Sequence, residues 1–207
     1  DEYNFYYRVH FDTVAGEQIG VKVAISTVSV DGARQNFEAE LAGVEFDAAR
    51  KSAYDKWNKE ISKIRIEGAT AEQEEIFYTG MYHMYVAPSL LSDVDGKYRG
   101  ADNEVYDNPG FDTYTTFSLW DTYRAKLPLM TITHPEMMDD IVNTMIDIYK
   151  KQSFLPIWHL WACETGCMVG SPGIIVVADA VAKGIEGIDT EEAWEAIYNS
   201  AMHDIRG

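Results

Sequence analysis

Two stretches of this chain crowd polar and aromatic side chains in patterns that could do chemistry. The first is Thr115-Thr116-Phe117-Ser118-Leu119-Trp120-Asp121-Thr122-Tyr123-Arg124. If Ser118 caps a helix, then Trp120, Asp121 and Arg124 fall in its first turns, and Asp121 and Arg124, three apart, share a face. That spacing has two readings. One is an ordinary ion pair beside a buried tryptophan. The other is a sugar subsite, in which the indole offers a stacking surface, the carboxylate accepts two hydrogen bonds from vicinal hydroxyls, and the guanidinium keeps it ionised. The spacing is compatible with both.

The second stretch is Leu155-Pro156-Ile157-Trp158-His159-Leu160-Trp161-Ala162-Cys163-Glu164-Thr165-Gly166-Cys167-Met168-Val169-Gly170. Glu164 stands among two Trp, two Cys and a Met, which predicts a partly desolvated carboxyl in an apolar pocket, and burial favours the protonated form. A carboxyl kept protonated near neutral pH is what a general acid requires. The bland alternative is a Glu that caps the following helix or pairs with a lysine. Cys163 and Cys167 are the only cysteines. No further Cys completes a metal cluster, so they read as small buried hydrophobes. His159 serves equally as a hydrogen-bonded packing residue or a ligand.

Composition narrows the partners. The 207 residues carry 17 Lys+Arg against 34 Asp+Glu, a formal charge of −17. Nucleic acid is bound by clustered cations that release counterions, and no window here is basic enough to supply them. Anionic membrane surfaces are disfavoured for the same reason. No membrane insertion is expected either, because the longest apolar stretch, around Ile174 to Ala182, is short and broken by Asp179. Thirteen Tyr and 5 Trp suit a ligand with flat apolar faces and polar edges, such as carbohydrate.

The elements that position these stretches follow from apolar periodicity. Tyr3, Phe5, Tyr7, Val9 and Phe11, then Ile19, Val21, Val23 and Ile25, alternate with polar residues and predict two strands. Two strands do not stand alone in water, so residues 1–31 are expected to be the end of a larger β domain. After Asp31, a plausible cap, the apolar spacing becomes helical and predicts a connector over 32–63. Thr70 is expected to cap a helix running towards Pro88, and Asp93-Val94-Asp95-Gly96 to turn. Helices are expected at roughly 118–131, 135–152, 173–184 and 190–204.

The two chemical stretches, followed by Val177-Ala178-Asp179-Ala180 and preceded by Val23-Ala24-Ile25-Ser26-Thr27-Val28-Ser29 and Trp57-Asn58, resemble glycoside hydrolase family 92 in their order along nearly the whole chain. The resemblance implies a calcium-dependent, exo-acting α-mannosidase that inverts configuration, of the α-1,2 type, releasing terminal mannose from glycans. The fold it implies is mixed: 1–31 as the tail of an N-terminal β-sandwich, 32–63 as a helical linker and 64–207 as the first part of an (α/α)6 toroid. Carried over residue by residue, it makes Glu164 the general acid and places Trp120, Asp121 and Arg124 in the mannose subsite. The family's later motifs, which hold the general base and most calcium ligands, have no counterpart before Gly207, so base and metal ligands stay unassigned and the chain is expected to be an internal fragment. Export to the periplasm, the cell surface or the medium is implied by the same resemblance.

Two other function classes fit part of the sequence. A noncatalytic carbohydrate-binding module explains Trp120 and Asp121 but gives no reason for the setting of Glu164. A different toroid enzyme, acting on an α-glucan or a uronate, shares the architecture but not the ordered motifs.

Overall fold

The computed structural model describes residues 8–202. Its first 22 described residues form neither helix nor strand. Val9, Phe11, Val21, Val23 and Ile25 are all more than half exposed. The two expected strands therefore do not form in this stretch, because a strand is stabilised by a ladder and by a face to pack on, and no other described strand runs beside it. Tyr3, Phe5 and Tyr7 lie outside the described residues.

Helix α1 (Val30–Glu40) is capped by Ser29, whose hydroxyl accepts from Gly32 N–H at 2.9 Å. Asp31 is in the first turn and pairs with Arg34 instead of capping. A turn through Gly43, at φ +69°, separates α1 from α2 (Phe46–Ile61), so the expected connector is two helices. Helix α3 (Ala71–Met84) starts with the expected Thr70 cap. Gln73 answers it by accepting from Thr70 N–H, which satisfies two end donors reciprocally.

Five two-residue strands follow: β1 (Ser89–Leu90), β2 (Tyr98–Arg99), β3 (Val105–Tyr106), β4 (Tyr114–Thr115) and β5 (Phe117–Ser118). β1 pairs with β4 and β2 with β3, both antiparallel. The turn expected at Asp93 to Gly96 is closed by Gly96 N–H donating to Asp93 C=O at 2.8 Å.

The helix expected over 118–131 is broken into α4 (Leu119–Thr122) and α5 (Lys126–Thr133). Pro128 explains the break. Proline donates no N–H and its ring clashes with the carbonyl four residues back, so it is tolerated only in a first turn, and α5 begins two residues before it. Helix α6 (Pro135–Gln152) opens on a proline and closes on Ser153 at φ 72°. Strands β6 (Trp158–Leu160) and β7 (Cys163–Glu164) precede α7 (Pro172–Ala182) and α8 (Thr190–Met202).

Helix α6 is the centre of the packing. Met138, Ile141, Val142, Met145, Ile146 and Ile148, at three- and four-residue intervals, are buried. Against them lie Leu127 and Met130 of α5, Val176, Val177 and Ala180 of α7, and Ala193 and Ala196 of α8. Phe117 and Leu119 belong to the same core and tie the β5 end of the first chemical stretch to it.

Candidate active site

Strands β5, β6 and β7 form one antiparallel sheet. Phe117 faces His159 and Ser118 faces Trp158; His159 in turn faces Glu164, and Leu160 faces Cys163. The sheet thus pairs residues of the two stretches some 40 positions apart in sequence. Adjacent strands lie about 4.8 Å apart, so Phe117, His159 and Glu164 stand in one row spanning two such steps.

Backbone strain concentrates around this sheet. Trp161 and Ala162 close the β6–β7 hairpin at φ 48° and 54°, both positive as a type I′ turn requires. Neither is the Gly, Asn or Asp that adopts this conformation readily. Thr116, between β4 and β5, is at φ 64°, unusual for a β-branched residue. The hairpin is held by Trp161 N–H, which donates to Thr115 Oγ1 at 2.7 Å, and Thr115 is fully buried. Residues kept in sparsely populated conformations by surrounding structure cluster at functional sites.

At the other end of β5, Trp120 is 46% exposed, so it is not the buried tryptophan of the ion-pair reading. Asp121 is exposed beside it, and its Oδ2 accepts from Ser118 Oγ at 2.7 Å. Ser118 precedes α4 but makes no side-chain cap bond; its hydroxyl orients Asp121 instead. The side chain of Arg124 lies over the Tyr123 ring, 5.1 Å from its centroid, and makes no ion pair with Asp121. Trp120 and Asp121 are thus both exposed at the start of α4. The contact of Arg124 is with Tyr123.

Glu164 departs from its expected setting. Cys163, Cys167, Met168 and Trp161 are exposed and build no apolar pocket around it. The half-buried carboxylate is instead clasped by main-chain donors: Ile157 N–H to Oε2 at 2.8 Å, Trp158 N–H to Oε1 at 3.0 Å, and Gly166 N–H to Oε1 at 3.2 Å. Thr165 adds a second tie, its hydroxyl donating to Trp158 C=O at 2.8 Å. Both carboxylate oxygens are thus engaged as acceptors, and they fix the loop after β7 onto the start of β6. The buried-hydrophobe reading of Cys163 and Cys167 is likewise replaced by two exposed thiols.

His159 lies between Phe117 and Glu164 in the sheet, 1% exposed, with neither ring nitrogen partnered among the described residues. Burial pushes its pKa down to about 4, with Glu164 pulling weakly the other way. The imidazole is a neutral core group, and its burial is legible in sequence only as its position between Trp158 and Leu160. Thr115 and Ser118, which hold the hairpin and Asp121, carry no sequence signal beyond membership of the first stretch.

A calcium ion takes six to eight oxygen ligands. The site offers two carboxylates, one already turned to three main-chain donors, and among the described residues no group of three or more His, Cys, Asp or Glu is placed to hold a metal. The described residues do not fit a calcium centre, and no chemical step here is derived through one.

A family model described as the glycosyl hydrolase family 92 catalytic domain matches residues 32–207. A family GH92 α-mannosidase from Bacteroides thetaiotaomicron, solved in complex with mannoimidazole, is 40% identical, with a TM-score of 0.83 over 87% of this chain and 24% of its own. A family GH92 inverting mannosidase from the same organism is 31% identical, with a TM-score of 0.76 over 83% of this chain and 23% of its own. An uncharacterized secreted glycosidase from Arthroderma benhamiae is 25% identical over 89% of this chain and 20% of its own length. The chain thus spans about a fifth to a quarter of the length of these relatives.

Proposed function

The chain belongs to glycosyl hydrolase family 92, and from that premise we propose that it serves an exo-acting, inverting α-mannosidase, of the α-1,2 type, as the part that binds and orients the terminal mannose. The observation that carries this reading is the pair of exposed Trp120 and serine-oriented Asp121 in α4, directly after β5 of the strained sheet whose β7 holds Glu164. The indole face stacks on the apolar face of the sugar, and Asp121 Oδ1, which has no hydrogen-bond partner among the described residues, accepts from its hydroxyls. Arg124, stacked on Tyr123, contributes positive charge at the edge of the subsite. The relative solved with mannoimidazole and the relative named as inverting support the sugar and the stereochemistry.

An inverting glycosidase needs an acid and a base carboxylate roughly 6.5–9.5 Å apart, with a water between the base and the sugar. The resemblance assigns the acid to Glu164. We keep that assignment as the proposal: three main-chain donors hold the carboxyl in place, and proton delivery needs one oxygen to turn from its N–H partner to the departing oxygen. The same donors make Glu164 fasten the loop at residues 164–166 onto the start of β6. Helices α3 to α8 are taken as part of the (α/α)6 toroid and residues 1–31 as the border of a β-sandwich. Calcium assistance and export to the periplasm, cell surface or medium are carried by the family and by the secreted relative.

The test is Asp121→Ala in the full-length protein, assayed on α-1,2-mannobiose and on an aryl α-mannoside. Loss of a charge-assisted acceptor should weaken binding by about 1.5–3 kcal/mol, with hydrolysis of both substrates falling together. Unchanged mannose affinity in a folded variant removes Asp121 from the site. A second reading, a carbohydrate-binding homologue without catalysis, is favoured by the engaged Glu164 carboxylate. Mannose binding without hydrolysis in the unmutated full-length protein decides for it.

A further inference from the structure

A second concave site lies away from β5, β6 and β7, between α2, the end of α3 and the start of α6. It is a cavity of about 370 Å³ whose walls include Lys56, Trp57 and Glu60 of α2, Tyr85 just beyond α3, His134 just before α6, and Glu136 in the first turn of α6. We propose that this cavity is an accessory carbohydrate site that takes a single neutral hexopyranose unit.

Three features point to that ligand class. The volume is at the lower end of the range for small-molecule pockets, about 300–1,000 Å³, which suits one sugar ring and a few waters. The ring of Tyr85 lies edge-on to His134 at 4.8 Å, and that of Trp57 lies at 4.6 Å from Tyr82, so both aromatic groups are held by neighbours before any ligand arrives. Preorganised aromatic surface with a few fixed polar groups is what an amphipathic, ring-shaped ligand needs.

The polar groups are fixed in the same way. Glu60 Oε2 accepts from Lys63 Nζ at 2.9 Å and from His134 Nε2 at 3.0 Å. His134 is in turn anchored through Nδ1 to Thr133 Oγ1 at 2.8 Å. Hydrogen bonding from Lys63, reinforced by His134, holds the Glu60 carboxyl below its ordinary value despite an opposing contribution from burial. It is a ready acceptor whose Oε1 has no hydrogen-bond partner among the described residues, and its side chain is 34% exposed. The two cations Lys56 and Lys63 balance the two anions Glu60 and Glu136 around the opening. A charged ligand would gain little from such a balanced rim, whereas hydroxyl groups can donate to Glu60 and accept from Lys56.

None of the residues lining this cavity belongs to the Trp120–Asp121 site, so the two can be separated by mutation. The experiment titrates methyl α-D-mannopyranoside, methyl α-D-glucopyranoside and methyl β-D-galactopyranoside into the full-length protein, read by saturation-transfer NMR and by Trp fluorescence. In the Asp121→Ala background at least one of the three should still bind. Adding Trp57→Ala or Glu60→Gln should then weaken that residual binding tenfold or more. Glu60→Gln keeps the shape of the side chain, so it covers the case in which Trp57→Ala loosens α2. Thermal melts of both variants confirm folding. The inference is overturned if Asp121→Ala abolishes binding of all three glycosides, or if residual binding survives both cavity variants unchanged. Failure of the mannosidase reading shows separately, as normal mannose affinity and turnover in Asp121→Ala alone.

Discussion

His159 stands directly opposite Glu164 across the β6–β7 ladder, with its imidazole sealed in the core while the carboxylate opposite turns back to the main chain of Ile157 and Trp158. The row makes His159 a neutral spacer between Phe117 and Glu164, and its protonation is opposed by burial.

That relationship gives a stability profile with a definite sign. The folded pKa of His159 is about 4, and burial is the main cause. The unfolded chain takes up the proton near 6.5. Above about 6.5 both states are neutral at this position and stability is intact. As pH falls from 6.5 towards 4 only the unfolded state gains the proton, so stability declines, by roughly 3 kcal/mol in all, and levels off once the folded state is protonated too. His159→Phe keeps a flat ring and removes the titration. The difference between the wild-type and His159→Phe unfolding free energies, measured by urea titration from pH 4 to 7, should widen as pH falls. Parallel curves would show that another group governs the acid limb.

Glu164→Gln tests the clasp. The amide replaces one acceptor oxygen with an NH₂ donor that must face Ile157 N–H or Trp158 and Gly166 N–H. A donor facing donors loses hydrogen bonds and leaves a half-buried group unsatisfied, a loss of about 1–3 kcal/mol. The melting temperature should drop. In the full-length protein, turnover of α-1,2-mannobiose should fall by about 10²–10⁴-fold, and that of an aryl α-mannoside with a good leaving group by less. Equal loss on both substrates would leave Glu164 only its structural role.

Much of the helical scaffold is legible in sequence because it rests on periodicity and punctuation. The spacing of Met138, Ile141, Val142 and Met145 behind Pro135 predicts a helix over 135–152, and α6 is Pro135–Gln152. Thr70 announces α3 through its cap. The break between α4 and α5 follows from Pro128, whose effect falls on residues before it and is masked by the apolar spacing around it. The site is less legible. Trp120 and Asp121 are found by composition, but the sheet whose β5 leads into them and whose β7 carries Glu164 consists of two- and three-residue strands, too short for any alternation, and β5 finds β6 some 40 positions later. Its hairpin turns on Trp161-Ala162 with no Gly or Asn to mark it. The crowd of Trp, Cys and Met around Glu164 suggests an apolar pocket, yet strand pairing turns those side chains outward and leaves the carboxylate to the main chain. Residues 8–29 alternate in part like strands and form none, since alternation records a preference for a ladder and does not supply the partner.

The strained hairpin depends on one hydroxyl. Thr115→Val keeps the shape of a fully buried side chain but removes the acceptor for Trp161 N–H. The unsatisfied donor should destabilise the protein by about 1–2 kcal/mol. Released from this anchor, Trp161 should leave its left-handed conformation, and its indole, 47% exposed here, should become more mobile. Time-resolved Trp anisotropy of Thr115→Val in a background where the other four Trp are replaced by Phe would register that change. An unaltered decay would mean the hairpin is fixed by its own ladder.

The last relationship concerns Gly32 and Asp93. Asp93 is buried and receives two donors, Ser26 Oγ to Oδ2 at 2.6 Å and Asn36 Nδ2 to Oδ1 at 2.8 Å, which fasten the start of α1 to the turn before β2. Arg99 strengthens the same junction by donating from Nε to Thr27 C=O at 2.6 Å. A Cβ on Gly32 would lie 2.3 Å from Asp93 Oδ2 and 2.8 Å from Ser26 Oγ, so Gly32→Ala must displace one of them. Helix propensity alone favours the alanine by up to about 1 kcal/mol. The clash should win, because the carboxylate is held on both oxygens and overpacking typically destabilises by about 1–3 kcal/mol. Gly32→Ala should therefore lower stability in urea. In an Asp93→Ser background, where the side chain is shorter, the same substitution should be neutral or stabilising. Equal destabilisation in both backgrounds would place the steric conflict at Ser26 and not at the carboxylate.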